Sequence, residues 1–175
     1  MSLIVQEYLK PVESSRVLDV GCGNADMARL LPSGVTYVGL DNNSGYIAKA
    51  KAGGINVVEA HVNELGGLGY EPFDIAVAVG VLHHLDDSTV SALMTDVAGV
   101  LRPGGIFVTI DPVLHVGQST ISRGIMALDR GRFIRRGEAY SKLMSAVFPS
   151  FEVQMRFDLN PFPYAHCIMT ASFPG

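Results

Sequence analysis

The stretch Val17-Leu18-Asp19-Val20-Gly21-Cys22-Gly23-Asn24-Ala25 decides how the rest of the chain is read. An apolar strand pattern runs straight into a glycine-bracketed turn with a helix expected beyond it, the position at which open α/β sheets bind nucleotides. Gly21 and Gly23 let the backbone turn sharply and come close to a ligand without Cβ interference. The same pattern fits an ordinary strand-to-helix turn, so the neighbouring residues decide. Asp41 follows Gly23 by eighteen positions and ends the second strand pattern, where a carboxylate accepts hydrogen bonds from both hydroxyls of a ribose. Position 26 is Asp, whereas a dinucleotide loop keeps Gly or Ala there so that the helix N-terminus can approach a pyrophosphate. An acid at that point repels diphosphate, and with Asp19 nearby it suits a phosphate-free, cationic ligand.

Working outward, β-rich runs at Arg16–Val20, Val35–Leu40, Ile55–Glu59, Phe73–Val79 and Gly105–Asp111 alternate with helical patterns, the signature of βαβ units and a largely parallel sheet. Phe73–Val79 is apolar apart from Asp74, as a central strand covered on both faces requires. Val90, Leu93, Met94, Val97 and Leu101 form one apolar stripe over a helix at Ser88–Leu101, with Asp86, Asp87 and Ser88 suited to its start. Pro103-Gly104-Gly105 turns the chain into the next strand. Tyr140, Leu143, Met144 and Val147 mark a further helix closed by Pro149. Glu152–Leu159 and Tyr164–Ser172 are joined only by Asn160-Pro161-Phe162-Pro163, too short for a parallel crossover, and are expected to pair antiparallel.

The chain has 175 residues, 48% of them hydrophobic, enough for one domain with a sizeable core. A net charge of −4 argues against a general binder of nucleic acid or anionic membrane. The start lacks the basic-then-apolar pattern of a signal peptide, and the longest apolar run, Ile75–Leu82, is far below the ~20 residues that cross a bilayer. A cytoplasmic location is expected. Cys22 and Cys167 are the two cysteines, with no metal-ligand spacing, so no metal is expected.

Four segments, VLDVGCGNA, GLDNN, FDIAVAVGVLHHLDD and LRPGG followed by IFVTIDP, stand in order between Arg16 and Asp111, and together they resemble the class I S-adenosylmethionine-dependent methyltransferases. The resemblance implies a three-layer α/β/α Rossmann-like methyltransferase fold: a mostly parallel seven-stranded sheet with an antiparallel C-terminal hairpin, forming a single domain over residues 1–175. The implied cofactor is S-adenosylmethionine, with S-adenosylhomocysteine as product. Asp19, Gly21, Cys22, Gly23 and Asp41 are its expected binding residues, the backbone near Val79 and Gly80 is implied to receive the methionine ammonium, and Asn42 to lie beside the ribose or adenine. After the third strand the family commonly carries an acid that accepts from the adenine amino group. This chain has His61 there, whose imidazole can also accept, while the Val62 N–H can serve the adenine ring.

On the acceptor side, methyl transfer from a sulfonium asks mainly for proximity and orientation, with a general base where the acceptor must lose a proton. The candidates are His83, His84, His115, Asp111, Tyr164 and His166, with Asp111 and His115 facing the same opening as the HH pair and Tyr164 also expected to contact the substrate; the HH pair also reads as a structural segment. Residues 112–137 carry an additional helix pattern, Ile121, Ile125 and Leu128, and five arginines, and read as a substrate-side insertion or lid. Arg130, Arg132, Arg135 and Arg136 suit bidentate recognition of a carboxylate or phosphate; the alternative is a solvated basic loop paired with the acidic body. The expected substrate is a small molecule, anionic if these arginines contact it, with no nucleic acid or membrane partner. The competing readings are an S-adenosylmethionine-binding protein without turnover, as sensor or partner subunit, and an NAD(P)-dependent oxidoreductase.

Overall fold

The computed structural model describes residues 1–128, 131–159 and 164–174, without the side chains of Arg123, Ile125, Ala127 and Leu128. Arg130 and residues 160–163, which join the last two expected strands, therefore lie outside the described residues. The strands are β1 (Arg16–Val20), β2 (Thr36–Asp41), β3 (Val57–Glu59), β4 (Phe73–Val79), β5 (Leu101–Leu114), β6 (Arg135–Arg136), β7 (Ser150–Arg156) and β8 (His166–Ser172). The α-helices are α1 (Ser2–Ile4, running on as a wider turn to Leu9), α2 (Ser44–Ala52), α3 (Asp87–Val100), α4 (Thr120–Leu128) and α5 (Gly137–Ser145).

Seven strands form one path, β3-β2-β1-β4-β5-β8-β7. The first five are mutually parallel, and β8 runs antiparallel to both β5 and β7, so the expected C-terminal hairpin closes the sheet. The two-residue β6 was not foreseen. It pairs with the end of β5, Val113 opposite Arg135 and Leu114 opposite Arg136. Strand alternation sends Phe107 and Met169 to one face, where Val90, Leu93, Met94 and Val97 of α3 and Tyr140 and Met144 of α5 cover them. Val17, Val77 and Ile168 face the other way, against Ile4, Val5, Ile47 and Ala50. Three layers result, each helix burying one apolar stripe on the sheet.

Two departures have physical causes. The helix expected after the glycine loop is only a five-residue 3-10 turn, Asp26–Leu30, because Leu31 precedes Pro32 and is forced into extended backbone. The turn expected at Pro103–Gly105 is a bulge within β5: Phe73 pairs with Leu101 and Ile75 with Ile106, so the extra residues loop out of register. Asp86 caps α3, its carboxylate accepting from Thr89 N at 2.8 Å. No helix among the described residues is long and apolar enough to cross a membrane.

Candidate active site

Two cavities open side by side at the carboxyl edge of the sheet, and Gly80 lines both. β1 and β4 end there beside each other, where the strand order reverses, the usual ligand position in such sheets.

The larger cavity, about 690 Å³, is walled by Gly21 and Gly23 of the β1 turn, by Asp41, Asn42 and Asn43 at the end of β2, by His61 and Val62 after β3, and by Gly80, Val81 and His84 after β4. The turn is stitched to β2 by bonds from Gly21 N and Cys22 N to Leu40 O, at 2.7 and 3.0 Å. Gly21 has φ +69°, and a Cβ there would lie 2.5 Å from Val81 Cγ2, so any side chain would break the contact between the β1 and β4 loops. Asp41 is locked in place: Oδ2 accepts from Gly23 N at 2.9 Å and Oδ1 from Asn43 N at 2.8 Å. Each oxygen keeps a further lone pair for a ligand hydroxyl. Across the cleft, Asn42 Nδ2 donates to His61 Nδ1 at 3.3 Å. That contact engages the Nδ1 side of the imidazole and ties His61 to Asn42.

Asp19, Cys22 and Val79 stand outside this cavity. Asp19 is buried beneath the loop and accepts the Tyr37 hydroxyl at 2.8 Å. Burial pushes its carboxyl up to about 7, opposed by the Tyr37 hydrogen bond and aided by the charge of Asp41. Burial and the same two acids push the Cys22 thiol up to about 12, and its sulfur packs toward Gly39, where a Cβ would come within 2.7 Å. Both side chains shape the floor of the loop from below. Val79 lines the second cavity.

That second cavity, about 360 Å³, is lined by Val79, Ile110 and Pro112 from the strand ends, by Met1, Leu3 and Ile4, and by Leu159 and Tyr164 from the C-terminal hairpin. Its polar wall consists of His83, His166 and Asp158. His83 and Asp111 are 5% and 1% exposed, and both the backbone N–H and Nδ1 of His83 contact Asp111 Oδ1, at 3.1 and 2.9 Å. With Nδ1–H donating to Asp111, the ring's lone pair lies on Nε2. Burial lowers the His166 pKa, opposed by Asp111 and assisted by His83, which keeps this second imidazole uncharged at neutral pH. Asp158 faces the cavity already held by Arg156, whose Nε and Nη2 reach its two oxygens at 2.7 and 2.8 Å.

The HH pair is thus divided: His84 belongs to the larger cavity and His83 to the smaller. His115 lines neither, its ring lying edge-on to Phe157 and its Nδ1 2.9 Å from Val116 O. Arg135, expected among the anion-binding arginines, is instead buried, and its guanidinium bonds to Asp87 and to the carbonyls of Leu82, Leu85 and Phe133. Those groups occupy the donors a carboxylate or phosphate would need. Arg132 and Arg136 are exposed and line neither cavity. Sequence reasoning missed the contribution of Met1–Ile4, because an apolar helical start reads simply as core. It also missed Gly131, whose backbone lies against the His83 ring; a glycine set between arginines in DRGRF was the signal available.

Comparison with known proteins agrees with this architecture. The methyltransferase domain family matches residues 17–105, just over half of the chain. The chain belongs to that family. It is 32% identical over 123 residues to the O-methyltransferase rstn1 of Aspergillus nomiae, covering 65% of this chain and 53% of the relative. It is 36% identical over 104 residues to the ubiquinone biosynthesis O-methyltransferase of Rhizobium etli, covering 55% and 41%. The chain thus spans about half the length of the curated relatives it matches. Its fold superposes on a SAM-dependent methyltransferase from Archaeoglobus fulgidus with a TM-score of 0.78 at 18% identity, over 98% of this chain and 92% of the other.

Proposed function

We propose that this chain is an S-adenosylmethionine-dependent O-methyltransferase whose acceptor is a small, uncharged molecule bearing a hydroxyl group. The observation that carries the reading is His83, held from behind by buried Asp111 and lining a compact cavity that meets the cofactor-sized cleft at Gly80.

The larger cleft fits the cofactor by its chemistry. Asp41, fixed by two main-chain donors, would take the ribose hydroxyls, Asn42 and His61 would border the adenine, and the charge of Asp41 favours a cation near the loop. A dinucleotide fits less well, since the five-residue turn that begins at Asp26 offers no long helix N-terminus to a pyrophosphate. S-adenosylmethionine, when bound, supplies an activated methyl group.

The chain's own part is to hold the acceptor and to accept its proton. Apolar walls from α1, β4, β5 and the hairpin exclude water from an acceptor in the smaller cavity. His83 takes the hydroxyl proton at Nε2 while Asp111 fixes the ring at Nδ1 and offsets the charge that develops. Because Arg135 is internally bonded and Asp158 is paired with Arg156, no described side chain of this cavity presents an uncommitted cationic group to an anionic acceptor; hence the uncharged class. The names of the two relatives above support oxygen as the acceptor atom.

The test is S-adenosylhomocysteine release with matched acceptors: small phenols and alcohols, their amine analogues, and their carboxylated or phosphorylated forms. Turnover of the uncharged hydroxyl compounds supports the reading; turnover confined to amines or to anionic forms contradicts it.

A further inference from the structure

The segment that carries Arg135 reaches the base rather than a ligand. Leu82–His84 is a single 3-10 turn, and so short an element depends on outside partners for its carbonyls. Arg135 supplies them. Its Nη1 donates to Leu82 O at 2.8 Å and its Nη2 to Leu85 O at 2.7 Å, so one guanidinium brackets the His83–His84 pair from both ends. Between those two points Phe133 N donates to His83 O at 2.9 Å. Nε, 2.8 Å from Asp87 Oδ1, ties the same group to the first residue of α3.

The arginine is itself braced. Its guanidinium carbon lies 5.6 Å from the ring centre of Tyr140 and 5.8 Å from that of Phe133. The Tyr140 hydroxyl donates to Pro112 O at 3.1 Å, one residue beyond Asp111. A closed circuit results, running from Asp111 to His83, through the Leu82–Leu85 turn to Arg135, then through Tyr140 back to Pro112. Gly131 completes it at the ring edge: a Cβ there would collide with His83 Cδ2, with Cγ and Nε2 next at 3.0 and 3.1 Å, so the backbone at Gly131 abuts the Cδ2 edge of the imidazole.

We infer that Arg135 is a positioning residue for the reaction, holding the Leu82–Leu85 turn so that His83 keeps its Nδ1–H bond to Asp111 and turns Nε2 to the acceptor cavity. Only a planar fork with five donors spans two carbonyls three residues apart while also gripping Asp87; a lysine ammonium cannot. This inference rests on His83 being the base, and the test separates the two claims.

Long-range proton–nitrogen NMR on the protein without added ligand reports the tautomer of His83, its signals assigned by their loss in His83→Asn. The wild type is expected to show the Nδ1–H form. Arg135→Lys and Gly131→Ala should each lose that signature or mix the two tautomers while S-adenosylhomocysteine binds with unchanged affinity. With an active acceptor in hand, kcat should fall roughly 10- to 100-fold with little change in the cofactor KM, the scale of a small misplacement at the reacting centre. An intact Nδ1–H signal and wild-type kcat in a folded Arg135→Lys protein would overturn the inference, leaving a purely structural arginine. Should Arg135→Lys fail to fold, Gly131→Ala, which spares every arginine contact, carries the same two readouts. If His83→Asn retains turnover, the base assignment fails, whatever the tautomer of the arginine variant shows.

Discussion

His83 Nδ1 lies 2.9 Å from Asp111 Oδ1, and the main-chain N–H of His83 reaches the same oxygen at 3.1 Å. One buried carboxylate oxygen thus sets both the position of the residue and the face its ring presents. The other oxygen, Oδ2, is buried with no hydrogen-bond partner among the described residues, so the charge of Asp111 is directed chiefly at His83. Asp111→Asn keeps the shape but offers a single acceptor oxygen and an amide that competes for the ring nitrogen. Steady-state kinetics should show kcat reduced on the order of 100-fold or more, with cofactor affinity intact.

Asp41 carries the cofactor claim. Asp41→Ala removes the ribose contact and also leaves Gly23 N and Asn43 N without their acceptor. Titration calorimetry with S-adenosylhomocysteine should show binding weakened by about 2 kcal/mol, the worth of charge-assisted hydrogen bonds. Full retention of affinity would mean that the ribose is held elsewhere.

Asp19 makes stability depend on pH. Its carboxyl has the ordinary pKa of 3.8 when unfolded and is pushed up to about 7 when folded, with burial as the main cause. Between those values the folded state binds the extra proton, so the stability this residue confers is full below about 4 and declines as the pH rises to 7. The difference spans roughly 4 kcal/mol at 1.36 kcal/mol per unit. Asp19→Asn keeps an acceptor for the Tyr37 hydroxyl and removes the titration. Denaturant melts from pH 4 to pH 8 should show a flatter profile for Asp19→Asn, and a variant more stable than wild type at pH 8; parallel profiles would contradict the assignment.

Gly21 sets the geometry of the loop. An alanine there would combine a left-handed backbone at φ +69° with a methyl 2.5 Å from Val81 Cγ2. Gly21→Ala should lower stability by about 1–2 kcal/mol from backbone strain alone. It should also weaken S-adenosylhomocysteine binding, since Val81 lines the same cleft.

The parts of this molecule that were legible in the sequence are those where local pattern and tertiary role coincide. The strands β1 and β4 fall where their mostly apolar runs begin and end, because a strand covered on both faces keeps few polar residues to blur it, here Arg16 and Asp19 in β1 and Asp74 in β4. Gly21, Gly23 and Asp41 were readable as neighbours around one cleft because a sharp strand-to-helix turn restricts residue type at fixed spacing. Arg135 was misread for the opposite reason. A buried arginine that grips carbonyls 50 and 53 residues away and a carboxylate 48 residues away has the same local signature as one that awaits an anion. His83 and His84 are adjacent in sequence and open to different cavities, a separation created by the 3-10 turn and invisible to periodicity. The smaller cavity draws on Met1, Leu3 and Ile4 and on Asp158, Leu159, Tyr164 and His166, far apart in sequence, and no local pattern reports such a meeting.

The most direct test of the central claim is a crystal structure with S-adenosylhomocysteine bound. The account predicts the ribose hydroxyls on Asp41, the adenine bordered by Asn42 and His61, and the sulfur beside Gly80 facing the cavity that holds His83. A ligand whose sulfur points away from that cavity, or whose ribose makes no contact with Asp41, would contradict it.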